Sequence, residues 1–295
     1  MTLTRTRGRR TRAALPAPTT LTALTAVVAL LALSACSTTG GATSPVASAD
    51  GTPVRGGTLD VAFFPDNAAF ACVDPFQVYW IEHRTVIRNI ADSLTDQDPE
   101  TGELVPWLAT DWSVDTAGTA YTFDLRDDVT FSDGSAFTAD SVKLAFDDAA
   151  ATLEELPTAY GGVYLAGYDS TEVVDADTVV VHFATPNASF LQGTSTTNLA
   201  ILAASSYAAT PEERCLGAVV GSGPFVLDEY SPGERTVLSR RDGYDWGSEL
   251  RDNTGEAYLD GITFTYVAED SVRVGQLTSD AIDIAWPRNP ISEND

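Results

Sequence analysis

The stretch that most constrains this chain is an alternating apolar segment near its middle. Tyr121, Phe123 and Leu125 alternate with polar residues, and a period of two places one face of a strand on a core. We therefore predict a strand over residues 120–126 and a second, short strand over residues 129–131.

A turn and a capped helix follow this strand. Gly134 lies in a Ser-Asp-Gly-Ser turn and supplies a residue that adopts positive φ. Thr138 is placed to cap a helix that we predict to end near Leu153, with Asp140 in the first turn, where the helix dipole favours an anion. This order of strand, turn, short strand and helix indicates a fold of the α/β class.

The same region resembles a known family. The matching segments are Val105-Pro106-Trp107-Leu108-Ala109, Trp112, Asp115 to Gly118, Tyr121 to Arg126, Phe131 to Gly134 and Thr138 to Val142. They resemble the signature region of the solute-binding proteins of ABC transporters in the peptide, nickel and oligopeptide family, called extracellular solute-binding protein family 5. The visible departure is Ser141, which separates Asp140 from Val142.

Further segments extend the resemblance from about Arg55 to Trp286. They are Arg55 to Leu59, Gly221-Ser222-Gly223-Pro224-Phe225, Tyr244 to Gly247 and Tyr258 to Val267. The resemblance implies an α/β fold of mixed (α+β) sheets of the periplasmic-binding-protein-like type II. In this fold a small domain II is inserted into domain I, and here domain III is truncated.

The predicted domain boundaries follow from the resemblance and from composition. They are a lipoprotein signal peptide over 1–35, a flexible tether over 36–56, domain I over 57–95 and 201–285, domain II over 96–200, and over 286–295 the start of the crossover to the missing third domain. Within them we predict a strand over 57–64, a helix over 76–92, a hairpin over 171–183, and strands over 226–230 and 235–240.

The first residues have the features of an export signal. Five arginines precede an apolar run from Leu21 to Leu33, which is too short to favour a membrane-spanning helix. Leu33-Ser34-Ala35-Cys36 resembles a lipobox, which implies cleavage before Cys36 and diacylation of its sulfur. An ordinary secretory signal is the alternative. We favour the general secretory route over a twin-arginine route at Arg9-Arg10, and predict anchoring at the outer face of the cell membrane.

The charge of the chain limits its partners. It carries 17 Lys and Arg against 42 Asp and Glu, a net charge of −25. Such a field repels nucleic acid and anionic headgroups. We therefore expect no nucleic-acid partner, and we expect a monomer.

Two further cysteines remain after Cys36. In an extracytoplasmic chain, an even pair such as Cys72 and Cys215 most simply forms a disulfide. Two unrelated buried thiols are an alternative. A metal site is another, although neither cysteine has a ligand nearby at a useful spacing.

No catalytic motif is present in the sequence. His-Glu-x-x-His, Gly-x-Ser-x-Gly, P-loop and dinucleotide patterns are all absent, and His83 and His182 are interpreted as satisfied or solvated side chains. We predict no enzyme, no cofactor and no metal. A secreted hydrolase that uses paired carboxylates and a surface receptor without a transport role remain alternatives.

The predicted binding site combines aromatic density with the resemblance. Aromatic residues are dense over 63–80 and over 160–168, where core packing is the alternative to lining a pocket. The resemblance implies a cleft between the larger lobes, hinge closure on a solute, most simply a peptide, and delivery to an ABC permease. The predicted ligand contacts are Phe63, Phe64, Pro65, Asp66, Asn67, Phe70, Gly221, Ser222, Gly223 and Pro224.

The resemblance also limits what this portion alone is expected to do. In peptide-binding relatives, the groups that pair with peptide termini lie in the third domain. We therefore expect the 295 residues to bind weakly, and the identity of the solute stays open.

Overall fold

This computed structural model describes residues 51–65 and 71–286. These residues contain eleven strands and six α-helices. The strands are β1 (Thr58–Phe63), β2 (Thr95–Gln97), β3 (Leu104–Pro106), β4 (Ala109–Val114), β5 (Ala120–Leu125), β6 (Tyr168–Val173), β7 (Thr178–Phe183), β8 (Phe225–Ser231), β9 (Arg235–Arg240), β10 (Gly261–Tyr266) and β11 (Ile284–Trp286). The helices are α1 (Ile81–Ile90), α2 (Ala139–Glu155), α3 (Phe190–Gly193), α4 (Ala204–Tyr207), α5 (Pro211–Cys215) and α6 (Asp270–Thr278).

The larger sheet has five strands in the order β11-β1-β10-β9-β8. β1 is parallel to both of its neighbours, whereas β8, β9 and β10 are joined antiparallel. Phe63, the last residue of β1, lies opposite Tyr266 on one side and Trp286 on the other. The carboxyl ends of three strands therefore meet at one edge of the sheet.

The second sheet has four antiparallel strands in the order β4-β5-β7-β6. All four lie in the chain between β1 and β8, so the chain leaves the first sheet, forms the second and returns. Phe123, Phe146 and Phe190 belong to the apolar core of the second sheet. Val61, Ile87 and Phe264 belong to a separate core at the first sheet. The domain boundaries given above stay predictions.

The opening segment folds largely as its pattern predicts. β5 ends one residue before the predicted strand, and Gly134 has a φ of 85° in the predicted turn. Thr138 precedes α2, and its amide donates to the Oγ of Ser141 at 3.2 Å. Ser141, the departure from the family pattern, thus serves as the partner of Thr138 in a capping box. The predicted hairpin is also present as β6 and β7.

Two predicted elements differ from the structure. Residues 129–131 form no strand; only an isolated bridge joins Thr130 to Ala136, because the turn folds back on itself at once. The first helix begins at Ile81 and not near residue 76. The residues before it are held in an irregular conformation by side chains from distant segments, described below.

A disulfide and a buried ion cluster lie side by side at the end of α5. Cys72 is bonded to Cys215, as the pairing of the two leftover cysteines predicts. The neighbouring Arg214 is 1% exposed and contacts Asp74 at 2.9 Å and Asp148, on α2, at 2.7 Å. A buried cation between two carboxylates satisfies the requirement that buried charges be paired.

Several predictions fall on residues that the structure does not describe. The signal peptide, the lipidation at Cys36 and all but the last residues of the tether lie outside the described residues, as do Asp66, Asn67, Phe70 and residues 287–295. Across 51–65 and 71–286, no helix has both the length and the apolar character needed to cross a membrane.

Candidate functional site

The edge of the larger sheet where β1, β10 and β11 end is the first element of the site. The amide of Phe64 donates to the carbonyl of Trp286 at 3.1 Å, and that of Val267 donates to Phe63 at 2.9 Å. In open α/β sheets, ligands bind outside the carboxyl ends of the strands where the strand order reverses. This edge is such a position, since β1 is flanked on both sides by strands that come late in the chain.

The predicted contacts at this edge do not all reach the surface. Phe63 is 1% exposed and stacks on Phe264, with ring centroids 5.5 Å apart. Its side chain therefore belongs to the core, the alternative that the aromatic pattern left open. Phe64 and Pro65 are partly exposed, and the side chain of Trp286 is 44% exposed beside them.

An aromatic cluster lies just before α1. We use this name for Tyr79, Trp80 and Tyr160. The Tyr79 ring lies 5.4 Å from that of Trp80 and 4.6 Å from that of Tyr160, yet Tyr79 is 51% exposed. An edge-to-face aromatic pair left open to solvent presents apolar area at little entropic cost. The two aromatic-rich stretches of the sequence therefore meet in space.

The irregular segment over residues 71–80, which we call the strap, carries this cluster. The buried Asn198 donates from Nδ2 to the carbonyls of Pro75 at 3.0 Å and Val78 at 2.6 Å. The amide of Gly161 donates to the carbonyl of Phe76 at 2.9 Å. These side-chain and loop contacts satisfy backbone groups that a helix would have paired internally, which is why α1 starts late.

A groove of about 990 Å³ runs along the outward face of α1. Segments 192–197 and 244–257 form its other walls, and the side chains that line it include Ile81, Arg84, Arg88, Tyr164, Thr197 and Arg251. Its volume lies at the upper end of the range for small-molecule sites, which combine apolar walls with a few polar groups.

Asp92 forms a buried polar hub beneath the groove. It accepts hydrogen bonds from Ser222 Oγ at 3.0 Å, Trp246 Nε1 at 3.1 Å and Tyr244 Oη at 3.4 Å. Burial raises the pKa of Asp92 to about 6, although these hydrogen bonds and Arg88 favour the ionised form. The hub joins the end of α1 to the loop before β8 and to the 244–257 wall.

The Gly221 to Pro224 loop packs under α1. A Cβ on Gly221 would lie 1.9 Å from the carbonyl oxygen of Ile90, and one on Gly223 would lie 2.6 Å from its carbonyl carbon. Ser222 is fully buried, and of these four residues only Pro224 lines the groove. The glycines therefore permit a close backbone approach, and the predicted ligand role of the loop stays a prediction.

The sequence motifs did not indicate that arginines line the groove. Arg84 and Arg88 are four residues apart on α1 and share its outward face. Charged residues four positions apart are also found on most solvated helices, so this spacing does not by itself indicate a binding site. Across the described ranges, no group of three or more His, Cys, Asp or Glu side chains is placed to hold a metal ion.

Residues 103–295 match the model of a protein family described as bacterial extracellular solute-binding proteins, family 5 Middle. The chain belongs to this family. Its fold is that of the type II periplasmic binding proteins, as the resemblance implied.

Similar proteins of known sequence are transport binding proteins. The peptide transport periplasmic protein SapA of Salmonella typhimurium is 30% identical over an alignment of 224 residues, and the match covers 69% of this chain and 39% of SapA. The dipeptide-binding protein of Escherichia coli is 30% identical over an alignment of 209 residues, and the match covers 64% of this chain and 37% of the relative. The chain thus spans about two fifths of the length of these relatives.

Two solved structures have a fold similar to that of this chain. The periplasmic binding protein DppA of Helicobacter pylori, in complex with the peptide STSA, has a TM-score of 0.63 at 26% identity and covers 78% of this chain and 46% of its own. NikA of Brucella suis, in complex with Fe(III)-EDTA, has a TM-score of 0.63 at 26% identity, and the match covers 77% of this chain and 42% of NikA.

We predict that two buried groups, one within α1 and one just after it, give this chain opposing pH dependences. The pKa of Asp92 is raised from 3.8 to about 6, so the folded chain holds this proton more tightly and unfolding free energy falls as pH rises between these values. Burial lowers the pKa of His83 from 6.5 to about 4, so unfolding free energy rises with pH over that window. Each effect is on the order of a few kcal/mol.

Urea denaturation of two variants between about pH 4 and pH 6.5 separates these effects. Asp92→Asn should become more stable as pH rises, because the His83 contribution remains. His83→Gln should become less stable as pH rises, because the Asp92 contribution remains. Parallel curves for the two variants would contradict the prediction.

Proposed function

We propose that this chain forms part of the extracytoplasmic solute-binding receptor of an ABC importer and supplies one wall of its solute cleft. The observation that carries the proposal is an exposed aromatic cluster just before α1 together with a large groove along the outward face of the same helix. The proposed solute is a peptide or a molecule of similar size, by analogy with the relatives named above.

The aromatic cluster is suited to binding because it is rigid before a solute arrives. The strap is fixed by the Cys72–Cys215 disulfide and by the ion pair between Asp74 and Arg214. Hydrogen bonds from Asn198 to two strap carbonyls also hold it. A contact surface that is already ordered loses little conformational entropy when it binds. Exposed aromatic area of this kind is a common mark of ligand-binding surfaces.

Further parts of the proposal concern the cellular context. We propose that a lipid on Cys36 anchors the protein at the outer face of the membrane. We further propose that a second lobe closes over the solute and that the permease recognises the closed form, since a ligand shifts an equilibrium only by binding one state more tightly. Phe64, Pro65, Asp66, Asn67 and Phe70 remain proposed ligand contacts.

Titration of a defined tripeptide mixture into the protein that carries this chain, followed by calorimetry, tests the proposal. Tyr79→Ala and Tyr160→Ala should each weaken binding roughly 10-fold, because each removes one ring of the pair and a buried aromatic contact contributes about 1 kcal/mol or more. Val174→Ala is the matched control, because Val174 is 55% exposed in the β6–β7 turn.

The expected result is saturable binding that depends on both tyrosines, with no change in the peptides recovered afterwards. Hydrolysed peptides would favour the carboxylate-dependent hydrolase instead. Equal binding by wild type and both tyrosine variants would remove the aromatic cluster from the site.

A further inference from the structure

Five apolar side chains that reach the surface meet where the strap leads into α1, and we call them the apolar patch. They are the three rings of the aromatic cluster together with Ile81 and Val163. Tyr79 and Ile81 are each 51% exposed, and Val163 is 54% exposed. Single exposed apolar residues are normal on a protein surface, whereas several in contact mark a surface that binds something.

The backbone brings these side chains to one side of the molecule. Trp80 is extended, with φ −72° and ψ 143°, so Tyr79 and Ile81 on either side of it share a face, as alternate residues of a strand do. Tyr160 and Val163 begin and end a short 3₁₀-helix, in which side chains three residues apart eclipse each other. The rings of Tyr79 and Tyr160, whose centroids are 4.6 Å apart, join the two halves of the patch.

The half of the patch that Tyr160 carries is fixed as firmly as the strap. A Cβ on Gly161 would lie 2.4 Å from a ring atom of Phe76 in the strap, and one on Gly162 would lie 2.5 Å from a methyl group of Leu153 in α2. The two glycines therefore let the 3₁₀-helix pack closely against both elements. As a result the rings keep steep mutual angles, 77° between Tyr79 and Trp80 and 62° between Tyr79 and Tyr160.

The charges around the patch disfavour an ionic ligand group. No residue over 79–81 or 160–164 carries a charged side chain. An anion is repelled by the net charge of −25. A cation is repelled by Arg84, which lies one helical turn after Trp80 and close enough to Tyr164 to act on its ionisation.

A carbohydrate is also a poor match for the patch. Sugars need several convergent hydrogen-bonding groups, and these two segments offer only tyrosine hydroxyls and one indole N–H. A neutral apolar group is what remains. Among such groups, an aromatic ring gains most, because edge-to-face and offset ring contacts add affinity beyond the apolar area that they cover.

We propose that the apolar patch binds an aromatic side chain of the solute. This inference rests on the proposed function and adds the chemical class of the solute. Tyr79 contacts both neighbouring rings and still exposes half of its surface, so a further ring can pack against it. Ile81 belongs to the patch and also lines the groove, so the remainder of the solute extends into the groove.

The test uses matched tripeptides and the protein that carries this chain. Phenylalanine, cyclohexylalanine or alanine is placed at each position in turn of an otherwise all-alanine peptide, and calorimetry measures each affinity. At the position that reaches the patch, phenylalanine should bind roughly 10- to 100-fold more tightly than alanine, the range for burying such a side chain. It should also bind roughly 2- to 10-fold more tightly than cyclohexylalanine, which is equally apolar but has no ring quadrupole.

Variants connect that preference to the patch. Tyr79→Ala and Tyr160→Ala should each remove most of the phenylalanine preference, whereas Tyr79→Phe should keep it because the ring remains. Tyr258→Ala is the matched control: this tyrosine is 38% exposed and lies just before β10, beside Gly56 at the amino end of β1. Urea denaturation of each variant confirms that it is folded.

Each outcome supports or overturns the inference. A phenylalanine preference that Tyr79→Phe keeps and Tyr79→Ala or Tyr160→Ala loses supports it. Equal affinities for phenylalanine and alanine peptides overturn it and leave the proposed function intact. Cyclohexylalanine peptides that bind as tightly as phenylalanine peptides overturn the aromatic assignment.

Two further results would also count against the inference. If Tyr79→Ala weakens binding of all peptides by the same factor, the patch contacts the peptide backbone or another part of the protein, and the inference is wrong. If no peptide binds at all, the proposed function fails together with it.

Discussion

Gly221→Ala is expected to lower the free energy of unfolding by about 4 kcal/mol or more, or to prevent folding. A Cβ at this position would lie 1.9 Å from the carbonyl oxygen of Ile90 and 2.8 Å from its carbonyl carbon. Both are backbone atoms, so no side-chain rotation relieves the overlap. The end of α1 has little freedom to shift, because the amide of Gly223 donates to the same oxygen at 3.0 Å.

Gly275→Ala is the matched control. Gly275 lies inside α6, and a Cβ on it would meet no atom within 4 Å. Alanine there should raise the free energy of unfolding by up to about 1 kcal/mol, because alanine has the higher helix propensity. Urea denaturation of both variants gives the comparison. A loss below about 1 kcal/mol in Gly221→Ala would mean that the loop does not approach α1 as described.

Removal of the disulfide, in a variant carrying both Cys72→Ala and Cys215→Ala, is expected to lower the free energy of unfolding by a similar amount. The two cysteines are separated by 143 positions, and in the chain-entropy model a loop of this length contributes roughly 5 kcal/mol by constraining the unfolded chain. The pair formed by Asp74 and Arg214 lies next to the bond and remains in the variant. The native strap should therefore keep its position while the whole chain becomes less stable.

Denaturation of the oxidised and reduced protein, alongside the double variant, measures this contribution. The reduced protein and the variant should have similar free energies of unfolding, both well below that of the oxidised protein. Aromatic near-ultraviolet circular dichroism reports whether Tyr79 and Trp80 keep their packing. If reduction leaves the unfolding midpoint unchanged, the bond does not constrain the unfolded chain to the extent that we expect.

These two predictions concern the same structural requirement. The loop at Gly221 supports α1 from below, while the disulfide and Arg214 fix the strap that leads into α1. The helix that carries Arg84 and the strap that carries Tyr79 are thereby held in place. Contacts at a distance from the groove therefore determine the geometry that the proposed solute would meet.

The sequence by itself determined the elements whose signals are local. The alternation at Tyr121, Phe123 and Leu125 specifies β5, because a period of two buries one face of a strand. Thr138 specifies the start of α2 through its own cap, and the remaining even pair of cysteines indicates their disulfide. The family resemblance was also visible, since its motifs are continuous segments.

Only the tertiary structure decided which side chains reach the site. Phe63 and Tyr79 both belong to aromatic-rich stretches, yet Phe63 is in the core and Tyr79 is 51% exposed. The late start of α1 depends on Asn198, which lies 120 residues from the strap carbonyl that it binds at 2.6 Å. The contact between the rings of Tyr79 and Tyr160 likewise joins distant segments. Local periodicity contains no information about such long-range packing, and this is why the apolar patch emerged only from the structure.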